Sequence, residues 1–235
     1  MTFVFPMAGL SSRFTQAGFT LPKYMLETKE GSVLLRVLKS FEHYKSQKFL
    51  FIYREIYNTK DFIVKTYETL NISNPLLVPL HNTTLGQAHT IYLGLKSMGI
   101  AHDQSLLIFN IDTFRPNFQF PSNYASCDGY LEVFMGFGNQ WSFILPGAQN
   151  TVLKTTEKDR ISSLRSSGLY YFKHTGDFLD AFTFNFSQAI THKGEYYVAP
   201  LYNYLIQKNK DIRYFEISKQ DIIFCGTPEE YYKLI

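Results

Sequence analysis

This 235-residue chain has two cysteines, one tryptophan and no block of like charge. Cys127 and Cys225 cannot build a disulfide framework or a four-cysteine zinc site. No stretch approaches the roughly 20 apolar residues of a membrane helix. The opening Met-Thr-Phe-Val-Phe-Pro-Met-Ala-Gly lacks the basic start of a signal peptide. A reduced, cytoplasmic protein with no membrane partner is therefore expected. Lys and Arg number 23 against 20 Asp and Glu, for a net charge of +3. That is too small to demand DNA, RNA or an anionic membrane as partner, and it suits a small anionic substrate equally well. Six histidines, at 43, 81, 89, 102, 174 and 192, show no zinc spacing with one another or with cysteine. The absence of Gly-x-Ser-x-Gly, of a P-loop Gly-Lys-Ser/Thr and of Gly-x-Gly-x-x-Gly counts against a serine-hydrolase elbow, a P-loop NTPase and a dinucleotide-binding domain.

At 45% hydrophobic and 18% charged residues, the chain folds rather than remaining disordered. The 22 Phe and 17 Tyr accompany many Lys, Asn and Ile, a bias that an AT-rich coding sequence produces, so they are not read as a nucleic-acid stacking surface. Apolar runs at 3–5, 49–53, 76–80 and 106–109 have the character of strands buried on both faces. Between them, 33–44, 59–70 and 86–98 carry apolar residues at helical spacing. This alternation predicts a mainly parallel α/β sheet with crossover helices. The second half is richer in strands, at 130–135, 141–145, 152–156 and 169–172. Helices near 177–190 and 199–207, strands at 212–217 and 222–224, and a helix at 228–234 complete it. No linker, repeat or low-complexity tract divides the chain, so one domain over 1–235 is expected.

Open parallel sheets bind ligands beyond the carboxyl ends of their strands. The first such end is Pro6-Met7-Ala8-Gly9-Leu10-Ser11-Ser12-Arg13, followed nine residues later by Pro22-Lys23. Small residues, consecutive N–H groups and two cations suit a phosphate. Asn82-Thr83-Thr84-Leu85-Gly86-Gln87-Ala88 opens a helix, and Gln87 offers the donor and acceptor that reading a base edge requires. Asn82 or Thr84 could equally serve only as the helix cap. Asp112 ends the fourth strand, where a carboxylate can hold Mg²⁺. Glu157-Lys158 precedes Gly168-Leu169-Tyr170-Tyr171-Phe172, and Gly226-Thr227-Pro228 stands near the end.

Together these segments resemble, in order, the motifs of the sugar-1-phosphate nucleotidyltransferases. The phosphate loop shows two departures, with Ser11 and Ser12 where that family has Gly and Thr. The resemblance implies a Rossmann-like mixed sheet flanked by helices, with a nucleotide-binding half over 1–113 and a β-rich acceptor-binding half over 114–235. It also implies an NTP and a phosphorylated sugar as substrates, Mg²⁺ as cofactor, and a role in surface polysaccharide, capsule or lipopolysaccharide synthesis. A homo-oligomer would be compatible. Arg13, Lys23 and Asp112 become the catalytic set, with Asp112 as metal ligand. Ala8, Gly9, Leu10, Ser11, Ser12, Gly86 and Gln87 fall on the nucleotide, and Gly136, Glu157, Lys158 and Glu195 on the acceptor. Asp159 replaces a usual Pro, and Phe224 stands where a second metal carboxylate is expected. Glu195, Asp221 or a water could substitute. Asp221, three residues from Phe224 on the expected strand, would face the opposite way, which favours Glu195. A cytidylyltransferase of phosphorylated alcohols or amines, a glycosyltransferase and a non-catalytic nucleotide-binding regulator are the competing readings.

Overall fold

The computed structural model describes residues 1–73 and 75–235. In chain order its elements are β1 (Thr2–Met7), α1 (Ser12–Gln16), β2 (Glu27–Thr28), β3 (Gly31–Ser32), α2 (Val33–Lys39), β4 (Lys48–Arg54), α3 (Thr59–Thr69), β5 (Pro75–Leu80), α4 (Gln87–Met98), β6 (Leu106–Phe109) and β7 (Thr113–Phe114). There follow β8 (Gly129–Met135), β9 (Ser142–Pro146), β10 (Val152–Glu157), β11 (Leu164–Phe172), α5 (Thr175–Ser187), α6 (Tyr202–Gln207), β12 (Ile212–Ile217), β13 (Ile223–Phe224) and α7 (Pro228–Tyr232). Nine strands form one sheet in the order β10-β9-β11-β6-β1-β4-β5, with β8 and then β12 branching from β11. β6, β1, β4 and β5 run parallel, whereas β11 is antiparallel to β6, β8 and β9. The chain thus builds outward from β1 through β4 to β5, then returns to place β6 on the other side of β1. That reversal opens a crevice at the carboxyl ends of β1 and β6.

Period-two alternation sends the two kinds of apolar side chain to opposite faces. Phe3, Phe5, Phe49, Phe51, Leu107 and Phe109 enter one core cluster, and Val4, Leu50, Ile52, Leu106 and Ile108 enter the other. On the aromatic face Phe3 stacks on Phe49 and Phe5 on Phe51, with ring centroids 5.2 and 5.3 Å apart. Phe41, just beyond α2, meets Phe3, Phe5 and Phe109 edge-on. Much of the unusual Phe content is therefore core packing. Pro75 and Pro79 lie on the edge strand β5, where a missing N–H is tolerated. The opposite edge, β10, is covered by the Asn203 amide, which bonds both the N–H and the C=O of Thr155.

Three departures from the expected elements have tertiary causes. The helix expected over 33–44 ends at Lys39 and resumes as a 3₁₀ turn, Glu42–Tyr44. Ser40 Oγ accepts the Arg115 N–H at 2.9 Å just past that end. The strand expected at 169–172 begins at Leu164, because buried Arg165, Ser166 and Ser167 find polar partners inside the fold. Asp221 lies in a 3₁₀ turn, Lys219–Asp221, so the strand-parity argument made for it does not apply.

A bulge between Ser166 and Tyr170 re-aims β11 beside the crevice. It contains Gly168, at φ +91°, where a Cβ would lie 2.5 Å from Asn110 Nδ2. Gly168→Ala should therefore destabilise the fold by about 1–3 kcal/mol and displace Asn110. A thermal melt checks this, and an unchanged midpoint would refute it.

Candidate active site

Two adjoining clefts, of about 360 and 280 Å³, occupy the crevice. Both are lined by Gln87, Asn110, Asp112 and Tyr197, which form the boundary between them. In that boundary Gln87 Nε2 donates to Asn110 Oδ1 at 2.5 Å. Asp112 Oδ2 accepts from Lys23 Nζ, also at 2.5 Å, and both side chains keep about a fifth of their surface exposed, at 23% and 20%. The short antiparallel pair β7–β13 returns the C-terminal segment to this point, and the Cys225 N–H donates to the Asp112 carbonyl.

The larger lobe gathers Ala8, Gly9, Leu10, Ser12 and Lys23 from the loop after β1, together with Gly86, Gln87 and Glu195. Gly86, at φ +100°, is the residue before α4, and a Cβ there would meet the Tyr196 backbone oxygen at 2.7 Å. Only glycine lets the two loops close together at this point. Neither Asn82 nor Thr84 caps α4; Thr84 Oγ1 instead bonds Thr90 Oγ1. His89 lies outside both clefts, its Nδ1 accepting the Leu85 N–H while its ring stacks on Phe182.

The smaller lobe has a polar floor of Ser142, Ser166 and Ser167 and one aromatic wall. Trp141 and Phe224 make that wall, with ring centroids 4.7 Å apart. Glu157 is buried; it accepts from Ser142 Oγ and lies 3.7 Å from Lys158 Nζ. Burial raises its carboxyl above the usual range; those two partners offset the rise only in part, and the Glu195 carboxylate adds to it. Arg13, expected on the nucleotide, lines this lobe beside Thr227 and Glu230.

Three expected site residues take other positions than the chain order suggests. Ser11 turns its hydroxyl out of both clefts to accept the Lys23 N–H at 3.3 Å. Gly136 lies beside the Phe134 ring and Arg165 and lines neither lobe. Glu195 lines the larger lobe and not the smaller one, and its Oε2 accepts from Tyr197 Oη. Tyr197 and Glu230 were missed. The pattern Thr227-Pro228-Glu229-Glu230 is a readable capping box, and the structure forms one. Tyr197 has no such signature. Both cysteines are free and buried, with burial pushing their thiols up to about 11 for Cys127 and about 12 for Cys225, so neither supplies a thiolate nucleophile.

No protein-family model matches the chain, and no curated protein matches it. Among solved structures, the nucleoside-diphosphate-sugar pyrophosphorylase from Vibrio cholerae RC9 is 44% identical, with a TM-score of 0.94 over 99% of this chain and 98% of that one. The chain belongs to the nucleoside-diphosphate-sugar pyrophosphorylase family. The inositol-1-phosphate CTP transferase from T. maritima (13% identity, TM-score 0.75, 97% of this chain and 90% of that one) shares the fold. So does the UDP-glucose pyrophosphorylase from Acinetobacter baumanii (14% identity, TM-score 0.71, 99% and 91%).

Within this pyrophosphorylase chain, Ser11 is accommodated by a left-handed backbone, φ 52° and ψ 32°. That region disfavours side chains branched at Cβ. Ser11→Gly should keep stability within about 1 kcal/mol, since relief of strain offsets the freer unfolded chain, whereas Ser11→Val should lose more than that. Denaturant titration of the two variants checks the ordering.

Proposed function

We propose that this pyrophosphorylase-family chain transfers a nucleotidyl group from an NTP to a sugar 1-phosphate, releasing pyrophosphate. The observation that carries the reading is the paired cleft, with Lys23 beside Asp112 in one lobe and Lys158 in the other. The larger lobe would take the nucleotide and the smaller one the acceptor. An acceptor phosphate oxygen forms the new bond to the α-phosphorus while the α–β bridging bond breaks, and its electron pair leaves with pyrophosphate. A phosphate monoester is already anionic at neutral pH, so no general base is needed and catalysis rests on alignment and charge. Lys158 would hold the acceptor phosphate and Lys23 would meet charge developing at the α-phosphate. Arg13, exposed at the rim, would reach the leaving pyrophosphate. The Trp141–Phe224 wall would take the apolar face of the sugar, and Ser142 and Glu157 its hydroxyls.

The proposed cofactor is Mg²⁺. Asp112 fits it: beside that carboxylate, Gly226 leaves a space where a Cβ would lie 3.4 Å from Asp112 Oδ2 and 3.6 Å from Glu230 Oε2. Among the described residues no group of three or more His, Cys, Asp or Glu could close around a metal. A sparse donor set suits Mg²⁺, which keeps several waters and takes phosphate oxygens as ligands. Bound on Asp112, it would neutralise phosphate charge.

We place the reaction in the cytoplasm, where NTPs are made, as a supply of activated sugar for surface polysaccharide, capsule or lipopolysaccharide. No described helix is long and apolar enough to cross a membrane. The test is pyrophosphate release from each NTP with a panel of sugar phosphates and Mg²⁺. Turnover with one pair supports the reading. Nucleotide binding without turnover for any pair overturns it in favour of a regulator.

A further inference from the structure

One hydroxyl joins the two lobes. Tyr197 Oη donates to Glu195 Oε2 at 2.5 Å in the nucleotide lobe and accepts from Lys158 Nζ at 2.7 Å in the acceptor lobe. The same ammonium lies 4.6 Å from the Tyr197 ring centroid. Burial raises the Tyr197 hydroxyl above its ordinary range, so it stays protonated and able to donate at neutral pH.

Each end of this link is anchored on a different half of the chain. On one side, the Tyr196 N–H donates to the Leu85 carbonyl at 2.7 Å, and the Ala88 N–H donates to the Tyr196 carbonyl at 3.0 Å. The segment bearing Tyr197 is therefore tied to the loop that carries Gly86 and Gln87. On the other side, Lys158 sits just past β10 at φ +56°, with its N–H held by the Trp141 carbonyl at 2.8 Å. A left-handed backbone outside glycine costs about 1 kcal/mol or more and persists only where the surroundings enforce it. Without the tyrosine hydroxyl, the nearest partner left to the Lys158 ammonium is Glu157, 3.7 Å away and buried. An ammonium freed from Tyr197 would shift toward that carboxylate, within the smaller lobe and away from the Glu195 side of the cleft.

We propose that Tyr197 is a positioning residue for the acceptor: its hydroxyl holds the Lys158 ammonium at a fixed place relative to the nucleotide loop, so that an acceptor phosphate is aligned with the α-phosphate. The inference rests on the functional reading above. Tyr197→Phe keeps the ring, its volume and the cation–π contact, and removes only the hydroxyl. With the NTP and sugar phosphate that support turnover, the variant should raise the acceptor KM about tenfold, the usual loss for a hydrogen bond to a charged group, while the NTP KM and the thermal midpoint hold. In a Lys158→Met background, Tyr197→Phe should have no further effect on the acceptor KM, because the group it positions is gone. An unmoved acceptor KM, an equal rise in the NTP KM, or additive effects in the double variant would each overturn the inference while leaving the function standing. Absence of turnover with every pair would overturn the function and this inference together.

Discussion

Lys23→Ala should lower kcat by about 10²-fold or more while changing NTP affinity little. The ammonium projects from a 3₁₀ turn, Lys23–Met25, into the larger lobe, and it is already paired with Asp112. Its place beside the proposed metal carboxylate is where charge would develop as the α-phosphate is attacked, and such charge exists in full only in the transition state. The ground-state nucleotide has many other contacts, so its binding should survive. The same variant removes the cation that neutralises Asp112. Lys23→Met should therefore bind Mn²⁺ more tightly than the wild type when no nucleotide is present. Single-turnover kinetics and nucleotide titration separate the two kinetic effects. An unchanged kcat in folded Lys23→Ala protein would remove Lys23 from the chemistry.

Asp112→Asn should abolish metal-dependent turnover, a loss of about 10³-fold or more, with the fold retained. Asn keeps the shape of the side chain but not the charge that a hard cation requires. The backbone of residue 112, which accepts the Cys225 N–H, is untouched, so the β7–β13 ribbon should persist. Lys23 loses its partner, but it is partly hydrated and the melting midpoint should move little. Wild-type activity at limiting Mg²⁺ would refute the role of Asp112. A large drop in the midpoint would instead show that the Lys23 pair is structural.

Local pattern was enough to read the strands β1, β4, β5 and β6 and the helices α3 and α4, though not the end of α2 at Lys39. In β1, β4 and β6 the side chains alternate between two buried faces, and on the edge strand β5, where only Val78 is buried, Leu77 packs toward one face and Leu76 and Leu80 toward the other. The loop after β1 was legible as a cleft wall for a similar reason, since small residues and two cations lie close together at the first strand end. The start of β11 at Arg165-Ser166-Ser167 was not read as strand because the run is polar and partners such as Glu132 and Gly138 are remote in sequence; Glu132, which accepts from Ser167, also takes the Arg115 guanidinium in a buried ion pair. Gly136 lines neither lobe and Glu195 lines the larger one, positions that spacing along the chain does not give, because it does not say which wall of a cleft a loop will join. The link through Tyr197 was invisible for a stronger reason: its partners lie 2 and 39 residues away and meet only when the loop after β10 folds against the segment stitched to Leu85 and Ala88. Period and composition report what each segment buries. Which polar groups then share a hydrogen bond depends on how those segments pack, and distances of a few ångströms between remote residues exist only in the assembled fold.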